Sequence, residues 1–247
     1  MGKGTFGDKK IAAVIVAVAI LVGLAAVYLV WFRPNKEDKE VFPAFGVVDL
    51  PPPETTGVMS VEEAIARRRS IRSYTDEPLS LQDISQLVWS AQGITDPGRR
   101  FRAAPSAGAT YPLEVYVVVG TNGVTGLAEG VYHYDPIEHQ LENVLRGDLR
   151  SSLANAALGQ GWVREAPVNI VIAAVYERTT GRYGDRGIRY VHMEAGHVGQ
   201  NLYLQAVARG LGMVVVGAFH DDQVQALLQL PEDQKPLYII PIGHPRV

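Results

Sequence analysis

Apolar and polar residues follow three patterns along the chain. An unbroken apolar run occupies 11–32, which is 22 residues without a charged side chain. Further on, short runs of β-branched and aromatic residues predict strands at 113–120, 130–135, 168–176, 213–219 and 237–244. Apolar positions at helical spacing predict helices from Ser60 onward and at 80–92, 190–209 and 221–230. After residue 58 the chain therefore alternates helices with strands, which predicts an α+β sandwich around a central sheet.

Local signals mark where some of these helices begin and end. Ser60 is followed three residues later by Glu63, the spacing of a capping box. Gly210 follows the predicted helix 190–209 and favours its termination. The strand 168–176 is apolar enough for both of its faces to be buried.

The apolar run at 11–32 predicts a transmembrane anchor that follows a tail at 1–10. A helix of that length measures about 33 Å, enough to cross about 30 Å of hydrocarbon. The alternative is a cleaved signal peptide with Lys9 and Lys10 as its charged start, but the run is long for one and no small-x-small site follows. Flanking basic residues are nearly balanced and lean only slightly toward an extracytoplasmic domain.

The segment 33–58 predicts a linker, because a charged run is followed by three consecutive prolines. Residues 59–247 then form the predicted folded domain. The chain has no cysteine, which excludes thiol nucleophiles, thiolate metal sites and disulfides. Its net charge of −3 argues against non-specific nucleic-acid binding.

Arginines cluster where the first predicted helix ends. Arg68, Ser70 and Arg72 are two residues apart, so in an extended exit their side chains point the same way. Guanidinium groups offer bidentate hydrogen bonds that fit a phosphate. Taken alone, the cluster is better explained as a solvated basic helix end that complements the helix dipole.

Two segments of small residues suggest close approach of a planar ligand. Pro105, Ser106 and Gly108 precede a predicted strand, and Gly217 and Ala218 end another. Alone, the first is equally a plain turn and the second a close-packed strand end.

Six segments in this order resemble the nitroreductase family of FMN enzymes, and most of all its SagB-type (thiazole/oxazole-forming) dehydrogenases. They are RRRSIRSY, PSAGATYPLEVYVV, GVYHYDPIEHQL, RYGDRGIRYVHMEAGHVGQNLYLQAVARGLG, VVVGAFHDDQV and LYIIPIGHPR. The resemblance covers about 59–247. It implies a nitroreductase-like α+β sandwich with a mostly antiparallel sheet, to which the N-terminal transmembrane helix would be added.

The resemblance also implies site residues and partners. The cofactor-binding positions that it implies for FMN are Arg68, Arg69, Ser70, Arg72, Pro105, Ser106, Gly108, Gly217, Ala218 and Arg246. Gly217 and Ala218 would present backbone amides to N5 and O4 of the flavin ring. The resemblance further implies a homodimer with flavin at the interface and the helix around 194–208 at its centre.

One position departs from the azole-forming branch, where a Lys–Tyr pair is implicated in proton removal. The matching pair here is Arg182–Tyr183, the implied catalytic residues. Arginine stays protonated near neutral pH and is a poor general base. Tyr183 remains available as an acid or a hydrogen-bond donor.

No metal site is predicted, because Glu194 and His197 give the E-x-x-H spacing of di-iron proteins only once. The function expected from the sequence is a membrane-anchored, FMN-dependent oxidoreductase that transfers hydride by a ping-pong scheme, with NAD(P)H as a candidate donor. The alternatives are a peptide azoline dehydrogenase and a non-catalytic flavin-binding or structural subunit of a membrane complex.

Overall fold

A seven-stranded antiparallel sheet lies at the centre of residues 46–246, the part of the chain that the computed structural model describes. The strand order is β1-β6-β5-β4-β7-β9-β8, and β2 and β3 form a separate antiparallel pair. The strands are β1 (Val47–Asp49), β2 (Ile94–Asp96), β3 (Phe101–Arg102), β4 (Leu113–Val119), β5 (Gly130–Asp135), β6 (Gln140–Arg146), β7 (Val168–Val175), β8 (Gly212–Met213) and β9 (Gln234–Gly243).

Helices cover both faces of this sheet. They are α1 (Val61–Arg67), α2 (Leu81–Gln92), α3 (Arg150–Ala156), α4 (Gly161–Glu165), α5 (Glu177–Tyr183), α6 (Arg186–Ala208) and α7 (Asp221–Leu227). Side chains of β4 alternate between two cores: Val117 packs with α2 and α6, whereas Val118 packs with α3, α4 and α7. All eight residues of β7 are buried, as its sequence predicts. The expected α+β sandwich is confirmed.

Capping side chains fix the start of two helices. Ser80 and Asp83 form a complete capping box at α2, and Arg209 beyond the end of α6 donates from Nε to Asp83 at 2.8 Å. At α1 the Ser60 hydroxyl accepts from the Glu63 backbone at 3.1 Å, but the Glu63 side chain pairs with Arg67 at 2.7 Å. The predicted box at Ser60 is therefore only half formed.

Several segments differ from the prediction, among them α3, α4 and α5, which were not predicted. The run at 213–219 contributes only Met213, the second residue of β8, and a bridge at Val216 to the sheet, because the chain leaves β9 after that point. The strand β6 was not predicted, since its sequence has exposed polar positions. Residues 47–49 of the predicted linker pair with β6, so the folded unit begins before residue 59.

The expected fold class needs one correction, because it added a transmembrane helix to the sandwich. Among residues 46–246, none of the helices combines the length and the apolar character needed to cross a membrane. The segment 11–32 on which the anchor was predicted lies outside the described residues. For residues 46–246, the fold class is the α+β sandwich alone.

Candidate functional site

Residues 68–72 follow α1 and are called its exit. This exit runs beside the segment that follows α6. Ser70 forms a parallel bridge with Met213, and the Ile71 backbone donates to the Met213 carbonyl at 2.9 Å. Arg68, Ser70 and Arg72 thus occupy alternate positions of an extended segment, as the sequence predicts. Two guanidinium groups and a hydroxyl are presented along this exit.

Tyr203 of α6 supports the exit. Its hydroxyl hydrogen-bonds the Ser70 hydroxyl at 2.9 Å and accepts from the Val215 backbone at 3.1 Å. The Arg68 guanidinium lies 4.9 Å from the centroid of the Tyr203 ring. Arg72 is held similarly, 5.6 Å from a ring centroid of Trp162. Sequence reasoning missed Tyr203, which ties the exit to the 213–218 segment.

The two remaining predicted arginines take different positions. The Arg69 side chain turns back and donates to the carbonyls of Ala66 at 3.0 Å and Arg68 at 2.7 Å, at the end of α1. Arg246 is brought to the exit by its backbone, which donates to the Ser73 carbonyl at 3.0 Å. Its side chain is exposed, three residues beyond the end of β9. We name Arg68, Arg72 and Arg246 the arginine cluster.

Beyond Val216 the backbone leaves the sheet and becomes exposed at Gly217 and Ala218. The Ala218 carbonyl accepts from Gln160 Nε2 at 2.8 Å. Within residues 46–246, neither the Gly217 nor the Ala218 N–H has an acceptor. Two adjacent backbone donors are thus open to a ligand on the segment that Tyr203 joins to the arginine cluster.

The loop of small residues before β4, Pro105–Gly108, lies elsewhere on the molecule and is tightly held. The Ser106 hydroxyl accepts from the Tyr111 backbone at 2.9 Å. Gly108, Ala109 and Tyr111 all have positive φ, of 62°, 54° and 45°. Such backbone is costly for residues other than glycine and persists where surrounding contacts hold it. This concentration of strained residues marks the loop as a functional candidate.

The predicted catalytic pair at the end of α5 sits on this loop. Arg182 Nη1 donates to the Gly108 carbonyl at 3.2 Å, and its guanidinium lies 5.4 Å from the Tyr183 ring centroid. A Cβ added at Gly108 would lie 2.5 Å from the Tyr183 hydroxyl and 2.8 Å from Arg182 Nη1. Glycine is therefore needed both for its φ and for the space that the pair occupies.

A neighbouring ion-pair network fixes α5 to the same loop. Arg178 pairs with Glu114 at 2.5 Å and donates to the Tyr111 carbonyl at 3.1 Å. Glu114 is also bonded to His133 at 2.7 Å. Burial acts to raise the pKa of Glu114, but His133 and Arg178 outweigh it and hold that pKa below its ordinary value. The carboxylate is thus kept charged as an anchor for α5.

Glu194 of α6 lies behind the loop and is only 2% exposed. Burial raises the pKa of its carboxyl to about 7, against the opposing effects of the Ser106 hydroxyl and the Arg102 guanidinium. His197 is exposed, so the two residues do not share an environment. Within residues 46–246 no group of three or more potential metal-ligating side chains occurs.

The predicted residues thus form two sets that the structure keeps apart along α6. The arginine cluster, Ser70, Gly217 and Ala218 lie toward the Tyr203 end of the helix. The loop 105–108 and the Arg182–Tyr183 pair lie toward the Glu194 end. These two helix positions are separated by about 13 Å at 1.5 Å per residue.

The sequence model described as "Nitroreductase family" matches residues 65–244. This chain belongs to the nitroreductase family. The match includes both sets of site residues except Arg246. The family resemblance predicted from the sequence is confirmed, and this nitroreductase is an oxidoreductase.

Individual relatives agree with that assignment. The nitroreductase homologue MJ1384 of Methanocaldococcus jannaschii is 48% identical over 185 residues, which cover 75% of this chain and 91% of that protein. A nitroreductase homologue from Ralstonia eutropha has a crystal structure with a TM-score of 0.71 at 31% identity, covering 81% of this chain and 90% of the other.

Two further relatives have named activities. The microcin B17-processing protein McbC of Escherichia coli is 31% identical over 157 residues, 62% of this chain and 58% of McbC. The FMN reductase [NAD(P)H] of Bacillus subtilis is 26% identical over 199 residues, 75% of this chain and 66% of that enzyme. The chain spans little more than half of McbC and about two thirds of the FMN reductase.

Proposed function

We propose that this nitroreductase uses FMN and holds its phosphate with the arginine cluster. The observation that carries the proposal is the pairing of Arg68 and Arg72 along one exit, with the Ser70 hydroxyl between them and two unpaired backbone N–H groups on the adjoining segment. Guanidinium groups form charge-assisted, bidentate hydrogen bonds with phosphate. The donor set therefore fits a ligand with a dianionic end.

The other end of the ligand site fits a polar ring. The open N–H groups of Gly217 and Ala218 would donate to ring acceptors and stabilise negative charge there. When bound, FMN supplies two-electron redox chemistry that links a donor and an acceptor using the same pocket in turn. The family assignment and the FMN reductase relative support this cofactor.

The chain's own residues then orient the substrate and control protons. The rigid loop 105–108 would cover the ring and exclude water. Arg182 donates to the Gly108 carbonyl, and arginine is a poor general base, so this residue orients the loop and does not remove a proton. Tyr183, beside it, has a hydroxyl that can hold or deliver a proton to the substrate.

We further propose a homodimer with the cofactor at its interface. The separation of the two sets of site residues along α6 supports it, because a second protomer can supply the loop that faces the first protomer's arginine cluster. Exposed Ile188 and Met193 on α6 give this helix an apolar surface for such a contact.

The experiment is an FMN titration of the purified chain, followed by quenching of flavin fluorescence. We expect saturable binding that weakens at least about tenfold in each of Arg68→Ala and Arg72→Ala, because each removes a charge-assisted bond to phosphate. Arg67→Ala is the matched control, since Arg67 pairs with Glu63 on the exposed face of α1. A chain that stays colourless and rejects FMN contradicts the proposal and favours a structural subunit.

A peptide azoline dehydrogenase is the second candidate, favoured by the similarity to McbC. Turnover assays with nicotinamide donors, quinones, nitroaromatics and an azoline-containing peptide separate the two functions. Azoline oxidation that survives Arg182→Ala and is lost in Tyr183→Phe would establish this second function with Tyr183 as its proton-handling residue. Turnover of NAD(P)H with small acceptors and none of the azoline peptide would support the simpler reductase.

A further inference from the structure

A buried carboxyl without a full set of partners lies behind the loop 105–108. Glu194 is 2% exposed and Gln92 of α2 is 1% exposed. Within the described residues 46–246, Glu194 Oε1 and Gln92 Nε2 are buried and have no hydrogen-bond partner. Unsatisfied buried polar atoms are uncommon in folded proteins and call for a functional or structural reason.

A network of side-chain contacts connects this carboxyl to the loop. Arg102 donates to Gln92 Oε1 at 2.9 Å, and its guanidinium lies 4.6 Å from the Tyr111 ring centroid. The Tyr111 backbone donates to Ser106 Oγ at 2.9 Å. The Ser106 hydroxyl and the Arg102 guanidinium both lower the pKa of the Glu194 carboxyl. A change of charge at Glu194 therefore alters the electrostatic environment of Ser106, the loop residue that is expected to touch the cofactor.

We propose that Glu194 is a positioning residue for the 105–108 loop, and that FMN binding is coupled to uptake of one proton from solvent by its carboxyl. The proposal rests on the proposed function, because it assumes that the loop covers FMN. It adds a role for a side chain that neither touches the phosphate nor reacts.

The direction of the coupling follows from desolvation. Burial already raises the pKa of Glu194 to about 7, so both protonation states are populated near neutral pH. A ring lying on Ser106 removes further water, which disfavours the charged form of the carboxyl. The bound state then prefers neutral Glu194, and affinity falls as pH rises through the range in which the free protein loses this proton.

The charged groups around the carboxyl do not reverse this direction. Arg102 is the charged side chain that acts on it directly, and it favours the charged form. Arg102 in turn faces Glu114 and Arg178, which affect it in opposite senses. His197 on the same helix is exposed. Burial outweighs Arg102 already before any ligand is bound.

The test is the FMN dissociation constant measured by fluorescence quenching between pH 7.0 and 8.5. FMN phosphate is almost fully doubly charged in this range, because its second pKa is about 6. We expect wild-type affinity to fall by about threefold to tenfold, within the limit for one linked proton. Glu194→Gln mimics the neutral carboxyl, so it should bind with little dependence on pH and more tightly than wild type at pH 8.5. Glu177→Gln, on the exposed start of α5, is the matched control.

Titration calorimetry at pH 7.5 in two buffers of different ionisation enthalpy gives a second readout. Wild type should take up a fraction of a proton that Glu194→Gln does not. If Glu194→Gln fails to fold, Ser106→Ala replaces it: losing a hydroxyl that lowers the pKa of Glu194 should move the midpoint of the pH profile upward.

Parallel pH profiles for wild type and Glu194→Gln, or a uniform loss of affinity in the variant, would overturn the coupling. So would an unmoved midpoint in Ser106→Ala. In each of these cases FMN still binds and the proposed function stands. If wild type binds no FMN at any pH, the proposed function itself fails and the coupling fails with it.

Discussion

Replacing Glu194 with glutamine will change how the stability of the protein depends on pH. The folded protein raises the pKa of this carboxyl from an ordinary 4.5 to about 7. The native state therefore holds the proton more tightly than the unfolded chain does. Its stabilising contribution is complete below pH 4.5 and is lost as pH rises through 7. At about 1.4 kcal/mol per pH unit, the loss amounts to about 3 kcal/mol.

The assay is urea unfolding at pH 5, 6, 7 and 8, followed by far-ultraviolet circular dichroism. Glu194→Gln carries no titrating group, so its free energy of unfolding should rise relative to wild type by about 2–3 kcal/mol from pH 5 to pH 8. Glu177→Gln should run parallel to wild type. A constant difference between Glu194→Gln and wild type across this range would refute the reasoning, because it would mean that Glu194 titrates normally in the folded protein.

Three further substitutions test the site and its supports. Gly108→Ala places a Cβ 2.5 Å from the Tyr183 hydroxyl at a φ of +62°, so we expect a loss of about 1–2 kcal/mol in thermal unfolding and a fall in kcat. Tyr203→Phe removes the hydroxyl that bonds Ser70 at 2.9 Å, so FMN should bind about threefold to tenfold more weakly by fluorescence titration. Ser80→Ala removes the capping hydroxyl of α2, so urea unfolding should show a loss of about 1 kcal/mol with unchanged kcat.

A specific result would contradict each of these three predictions. An unchanged kcat in Gly108→Ala would show that turnover does not depend on the position in which the loop holds the Arg182–Tyr183 pair. FMN affinity untouched in Tyr203→Phe would separate this tyrosine from the phosphate site. A selective loss of kcat in Ser80→Ala would show that the start of α2 takes part in catalysis.

Much of the sheet could be predicted because strands that are buried on both faces consist almost entirely of apolar residues. The strands β4 and β7 are almost wholly apolar, and the structure buries nearly all of their residues. The strand β6 is different, since its residues are partly exposed and its conformation is imposed by pairing with β5. The run Val214–Val216 is apolar because it packs against neighbours, and sequence alone does not distinguish that packing from strand pairing.

The candidate site divides in the same way. Arg68, Ser70 and Arg72 are close in sequence, so their alternate positions on one extended segment follow from local geometry. Tyr203 and Glu194 could not be assigned, because their roles depend on which loop each face of α6 meets. Glu194 had only one sequence signal, a spacing to His197, and that signal pointed to metal binding.

We propose that the arginine cluster holds the phosphate of FMN. The most direct measurement is a crystal structure of the chain with FMN added. We expect phosphate oxygens about 2.7–3.0 Å from the guanidinium groups of Arg68 and Arg72, and the ring beside the Gly217 and Ala218 N–H groups. Density for FMN elsewhere, with both guanidinium groups in bulk water, would contradict it.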